Sequence, residues 1–193
     1  MNEKLSTNRG SSVCRCCGSK NLEEILDLGD HPLPAEYGET ADEISEAFPL
    51  KLNICKNCAL GQIGEYVLPE RIFHKTYPYL SSASSTWVSH ANKYAIEMVS
   101  KLQLCKNSFV VEIASNDGYL LSNFKKMGIP VLGVEPAQNV ANIAKDKGIS
   151  TISKFFGEAL ALEIVAINGH PNLVAANNVF AHVPDMMDFA KGL

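Results

Sequence analysis

The residues most able to do chemistry are cysteines, placed as Cys14-Arg15-Cys16-Cys17 and Cys55-Lys56-Asn57-Cys58. A C-x-x-C step lets two thiolates from one tight turn take adjacent corners of a tetrahedron, and a second step from elsewhere supplies the other two. Cys14, Cys17, Cys55 and Cys58 would close the shell of a zinc ion and leave no open position, so the site should be structural. Gly18 follows the first pair and suits the turn of such a knuckle. The other readings of these residues are a redox C-x-x-C or unrelated cysteines. Cys16 could substitute for a neighbouring ligand, and Cys105 is expected to pack as a small buried hydrophobe. The insert from Gly18 to Ile54, with Leu28-Gly29-Asp30-His31-Pro32-Leu33-Pro34 and a charged stretch around Asp42-Glu43, reads as a loop-rich excursion.

A second polar constellation lies at Glu112-Ile113-Ala114-Ser115-Asn116-Asp117-Gly118, directly behind an apolar strand. Small residues, a flexible Asn and a Gly let backbone N–H groups approach a ligand at the start of the next helix. Glu135, at the end of a second strand before Pro136, could accept both hydroxyls of a ribose. A solvated turn and an ordinary surface Glu are the bland reading. A dinucleotide fold prefers G-x-G-x-x-G, and this loop has one glycine and an acidic Asp117. Carboxylates at Glu112 and Asp117 would favour a cationic sulfonium over a phosphate. S-adenosylmethionine therefore fits better than NAD.

The elements that must position these residues follow from hydrophobic period. Trp87, Ala91, Tyr94, Ala95, Met98, Val99 and Leu102 form one apolar helical face, in which Trp87 and Tyr94 read as packing. Strands are expected at Phe109 to Ala114, Val131 to Val134, Ile149 to Ile152 and Leu173 to Ala176. They alternate with helices at Tyr119 to Met127, Asn139 to Lys147 and Glu158 to Ile167. Such alternation implies an α/β fold with a parallel sheet, and a ligand at the carboxyl ends of the strands near the switch point.

Composition bounds the rest. A chain of 193 residues, 46% hydrophobic and 20% charged, can bury the core of one domain plus a small appendage. Its formal charge of -4 offers no broad basic surface, which argues against nucleic acid as main partner. The first ten residues lack the apolar centre of a signal peptide and no later run is long enough to span a bilayer, so a cytoplasmic protein without a membrane partner is expected. In a reducing compartment, paired cysteines read as metal ligands sooner than disulfides. No interface pattern stands apart from core periodicity, so the sequence sets no oligomeric state.

With these residues in view, the chain resembles the sugar C-methyltransferases of deoxysugar biosynthesis, which join a zinc-binding domain to an S-adenosylmethionine-dependent methyltransferase domain. The resemblance is carried by Cys14 to Gly18, Cys55 to Cys58, Tyr77-Pro78-Tyr79-Leu80-Ser81-Ser82, Val111 to Leu121, Gly133 to Ala137 and Ala176 to Asp185. Within it, Ala114 and Asn116 replace glycines common in other methyltransferases. It implies a zinc-binding domain over 1–72, a connector and capping helix over 73–107, and the N-terminal part of a Rossmann-like methyltransferase domain over 108–193.

The resemblance further implies methyl transfer to carbon on a nucleotide-linked keto sugar. A general base removes the hydrogen beside the ketone and the enolate carbon attacks the sulfonium methyl. By the family pattern Tyr77 and His182 lie on the sugar side. Glu112, Ala114, Ser115, Asn116, Asp117, Gly118, Glu135, Pro136 and Asn177 hold the cofactor, and Phe155-Phe156 flank the adenine. Core packing for Phe156, a helix-start role for His182 beside Pro184, and strand-end closure for Asn177 and Asn178 are the plainer readings. The family pattern continues through further strands that include its principal base, so the chain is expected to be truncated at Leu193. The alternative function is a catalytically silent zinc- and S-adenosylmethionine-binding fragment.

Overall fold

The computed structural model describes residues 8–10, 12–34, 40 and 46–193. The charged stretch around Asp42-Glu43 lies outside the described residues. The chain divides into two compact units, Met1–Ile72 with Pro184–Met187, and Phe73–Val183 with Asp188–Leu193.

In the first unit, β1 (Asn8–Gly10) pairs antiparallel with β5 (Glu65–Val67), and β2 (Leu22–Pro32), β3 (Ala47–Cys55) and β4 (Gly61–Ile63) form an antiparallel sheet in the order β2-β3-β4. The short helix α1 (Pro69–Ile72) follows. Among the described residues the insert between the cysteine pairs is mostly two long antiparallel strands rather than the loop-rich excursion that the sequence suggests. Leu22 stands opposite Cys55 and His31 opposite Phe48. Register shifts between Glu24 and Leu26 and between Asp27 and Asp30 reset the two-residue period, which hides the strand from a pattern search. Lys51 bridges Asp27 at 2.8 Å and Glu24 at 3.3 Å across the pair, all three on the exposed face.

The second unit opens with α2 (Ser85–Leu102), whose N-terminus Ser84 caps by accepting from the Trp87 N–H at 3.3 Å. Then follow β6 (Val110–Ile113), α3 (Leu121–Lys126), β7 (Val131–Val134), α4 (Gln138–Asp146), β8 (Thr151–Ile152), α5 (Glu158–Asn168), β9 (Leu173–Ala175) and α6 (Met186–Gly192). The sheet is wholly parallel in the order β8-β7-β6-β9, as the alternation of strands and helices implies. Strand order reverses beside β6, where a ligand crevice opens in sheets of this kind. Alternation along β6 sends Val110 into a core with Ala91, Ala95, Leu120, Leu121 and Phe124, and Val111 into a second core with Leu132, Val134, Leu160 and Ile164. Helices thus cover both faces, and the polar carboxyl ends of β6 and β7 are left to build a site.

Cys105 is exposed rather than buried. It sits in the turn after α2, where the Ser108 N–H bonds its carbonyl at 2.9 Å and the Ser108 hydroxyl accepts from its N–H at 3.0 Å, and that turn carries the thiol outward. Among the described residues no helix is long and apolar enough to cross a membrane.

Candidate functional site

Two knuckles of matching geometry bring the cysteines together. The Gly18 N–H bonds the Cys14 carbonyl at 2.9 Å and the Ala59 N–H bonds the Cys55 carbonyl at 2.8 Å. Both turns close on a left-handed residue, Gly18 at φ 71° and Ala59 at φ 62°. The four Sγ atoms of Cys14, Cys17, Cys55 and Cys58 lie within 4.8 Å of one another, with Cys14 to Cys58 at 3.5 Å and Cys17 to Cys55 at 3.6 Å. A tetrahedral zinc with bonds of about 2.3 Å sets sulfurs about 3.8 Å apart, so the cluster fits that ion. Cys16 is exposed and takes no part in the cluster.

Electrostatics agree with the geometry. The Cys58 N–H, with burial opposing it, pulls the Cys55 thiol down to about 6. At Cys58 the Leu60 N–H also pulls downward, but the neighbouring thiols and burial outweigh it and push Cys58 up to about 12. Four thiolates cannot coexist at this spacing without a cation among them. Gln62, which the sequence gives no reason to notice, fastens the first knuckle to β4. Its Oε1 accepts from the Arg15 N–H at 2.9 Å and its Nε2 donates to the Val13 carbonyl at 3.2 Å.

The second unit places Ala114, Ser115, Asn116, Asp117 and Gly118 in one tight loop after β6. Left-handed residues alternate through it, Ala114 at φ 53°, Asn116 at φ 49° and Gly118 at φ 77°. A non-glycine residue there costs about 1 kcal/mol or more, strain that persists where the surroundings over-determine the backbone. Glu135 supplies that constraint. Its Oε2 accepts from the Asn116 N–H at 2.9 Å and its Oε1 from the Ala137 N–H at 2.8 Å. Burial raises the Glu135 pKa from its ordinary value while those two donors oppose the rise. Each carboxylate oxygen keeps a second acceptor site, which is what a ribose diol needs. Pro136 is half-buried between these contacts.

Glu112 is 1% exposed at the floor of the loop. Burial, then the charges of Glu135 and Asp117, raise its pKa well above the ordinary value. The Asp117 carboxylate is also buried, but Lys147 Nζ reaches its Oδ2 at 2.8 Å. These findings weaken the electrostatic argument that carboxylates at Glu112 and Asp117 favour a sulfonium: burial disfavours the charged form of Glu112, and Asp117 is paired with Lys147. Glu112 Oε2, Ser115 Oγ and Asp117 Oδ1 are buried and have no hydrogen-bond partner. Orphaned atoms clustered at one loop are what a bound ligand or water would satisfy.

Beside the loop lies a pocket of about 180 Å³ lined by Trp87, His90, Tyr94, Tyr119, Asn177 and Asn178, with Ala91 and Leu120. Trp87 stacks on His90 at 5.1 Å and on Tyr119 at 6.1 Å between centroids. Trp87 and Tyr94 thus line a cavity as well as packing the helix face. Asn177 is brought to this pocket. His182 is exposed in the 3-10 turn Phe180–His182, and Tyr77 is half-buried with its carbonyl bonded by Asn139 Nδ2 at 2.8 Å. Phe155 is exposed and stands 6.5 Å from Phe73, while Phe156 packs edge-on against Phe189 at 5.3 Å.

Fold and site define a protein with a four-cysteine cluster suited to a metal and a parallel four-stranded sheet flanked by helices. Residues 14–73 match the family model described as "Putative zinc binding domain". Over 182 residues the chain is 32% identical to the C-methyltransferase NovU of Streptomyces niveus, an alignment covering 93% of this chain and 43% of that protein. A solved structure described as the crystal structure of MccD protein aligns with 51% of this chain and 33% of its own at 13% identity, with a TM-score of 0.26, which carries no argument. These matches support a zinc-binding C-methyltransferase family for the chain, which spans less than half the length of the curated relative it matches.

Proposed function

We propose that this chain serves S-adenosylmethionine-dependent methyl transfer to a carbon of a nucleotide-linked keto-deoxysugar, in the cytoplasm. The observation that carries the reading is the loop from Ala114 to Gly118 at the switch point of the sheet, with buried unsatisfied atoms at Glu112, Ser115 and Asp117 and a carboxylate, Glu135, at the tip of the next strand. Likeness to a C-methyltransferase supports it. The zinc reading rests on the thiol cluster, whose chemistry suits a reducing compartment.

When bound, S-adenosylmethionine supplies an electrophilic methyl group and departs as S-adenosylhomocysteine. Glu135 would hold its ribose hydroxyls through the lone-pair sites that Asn116 and Ala137 leave open. The Ser115 to Gly118 backbone would face its amino-acid portion, where left-handed Asn116 and Gly118 allow a close approach. Asn177, which lines the neighbouring pocket, would lie near the donor. Tyr77 and His182 serve the sugar side, where an enolate formed beside the ketone is the carbon nucleophile and donors must meet its oxygen.

Trp87 is the only tryptophan in the chain and lines the pocket, so its emission reports occupancy. Titration with S-adenosylmethionine, S-adenosylhomocysteine and NAD should give saturable quenching with the first two and none with NAD. Quenching by NAD at lower concentration than by S-adenosylhomocysteine would reject the reading.

A further inference from the structure

The segment before α2 is fastened across the loop that follows β6 by side chains whose place in the sequence suggests a different job. Asn116 is 7% exposed, and its side chain is bonded to the segment before α2. Its Oδ1 accepts from the Ser81 N–H at 2.7 Å, and its Nδ2 donates to the Tyr79 carbonyl at 3.2 Å. The Ser82 hydroxyl donates a short hydrogen bond to Asp117 Oδ2. Lys147, at the end of α4, donates to the same oxygen at 2.8 Å, to the Asp117 carbonyl at 3.1 Å and to Ser82 Oγ at 3.3 Å. Asn139, in the first turn of α4, donates to the Tyr77 carbonyl at 2.8 Å. Residues 77–82 are thereby tied at Tyr77, Tyr79, Ser81 and Ser82 to the loop and to α4.

We propose that Asn116, Asp117 and Lys147 are positioning residues that strap segment 77–82 over the donor crevice, and that the Asp117 charge is spent on this fastening. The proposal rests on the reading that the donor lies against the loop from Ser115 to Gly118. Physical chemistry favours it in three ways. A left-handed Asn costs more than the glycine it replaces, and two side-chain hydrogen bonds to backbone offset that cost. An Asp that is 0% exposed needs a counter-charge, which Lys147 gives at hydrogen-bond distance. With Oδ2 taken by Ser82 and Lys147, the pair presents no net charge to a bound sulfonium. Tyr77, at the far end of the strap, is presented to the acceptor only while the fastening holds.

Two variants of the zinc-loaded chain test this. In Asn116→Gly the backbone keeps its left-handed turn, so the thermal midpoint should stay within experimental error. The Ser81 amide should exchange with solvent about tenfold faster, the equivalent of one lost hydrogen bond. S-adenosylmethionine and S-adenosylhomocysteine should weaken together. Unchanged Ser81 exchange, or faster exchange with affinity unchanged, overturns the strap. In the double variant Asp117→Asn with Lys147→Met the pair leaves as a unit, so the affinity ratio of the cationic donor to its neutral product should stay within about twofold. A severalfold fall in that ratio overturns the claim about charge, because it shows Asp117 acting on the sulfonium directly. Should the unaltered chain bind neither ligand, the functional reading fails, while Ser81 exchange still decides whether the strap exists.

Discussion

Gly133 links the sheet to the site and gives the most quantitative test of the geometry. It stands opposite Glu112 on one side and Thr151 on the other. A methyl group at Gly133 would sit 2.4 Å from Ser115 Oγ, 3.0 Å from Ser115 Cβ and 3.2 Å from Thr151 Oγ1. The hydroxyl can rotate away without losing a partner, since it has none. Ser115 Cβ cannot move freely, because its own N–H is bonded to the Val134 carbonyl at 3.1 Å and the next N–H to Glu135. Gly133→Ala should therefore cost about 1–2 kcal/mol, the lower part of the range for overpacking. At a protein of this size that lowers the thermal midpoint by roughly 2–8 °C, followed by circular dichroism in zinc-containing buffer. Ser115→Gly removes the atoms struck, so adding it to Gly133→Ala should recover more than half of the loss in a double-mutant cycle. An unchanged midpoint in Gly133→Ala, or no recovery in the double variant, would refute the close approach of loop and strand.

Further outcomes follow from the two sites. Cys55→Ser should lose stoichiometric zinc by elemental analysis and Cys16→Ser should keep it; zinc retained by the first variant would count against the cluster. Ala59→Gly relieves a left-handed alanine and should raise the melting midpoint of the zinc-loaded chain by the equivalent of about 0.5–1 kcal/mol, with a fall arguing against the second knuckle turn. Glu112 has a folded pKa raised above its ordinary 4.5, so the native state holds a proton that the unfolded chain has released. Its contribution is fully present below pH 4.5 and is lost as pH rises toward the folded value. Glu112→Gln should flatten that decline in denaturant midpoints measured from acid to neutral pH, and an unaltered slope would mean that the carboxyl is ionised in the native state.

The parts of this molecule that the sequence reveals are those set by period and spacing. Strands β6, β7 and β9 announce themselves as short apolar runs between helices, and the cysteines as two matched turns. The β2 to β3 hairpin does not, because its bulges interrupt the alternation and leave Ile25, Leu26 and Leu28 exposed. At the site, the spacing of Glu112, Glu135 and the intervening loop is legible, yet their charge states are not. Whether Glu112 is ionised depends on burial, and whether Asp117 is free depends on Lys147, thirty residues along the chain. Gln62 is equally silent in the sequence, as an ordinary polar residue in a strand. An inward-pointing polar side chain beside a cysteine turn is the one signal that could have marked it. Cys105 shows the reverse error, since a thiol that reads as core is turned out by the local geometry of Cys105 to Ser108.

The most direct measurement is a crystal structure of the zinc-loaded chain grown with saturating S-adenosylhomocysteine. The account requires ligand density across the carboxyl ends of β6 and β7, both ribose hydroxyls on Glu135, and the thioether directed toward Asn177. An empty crevice at saturating ligand, or density lying elsewhere on the sheet, would contradict it.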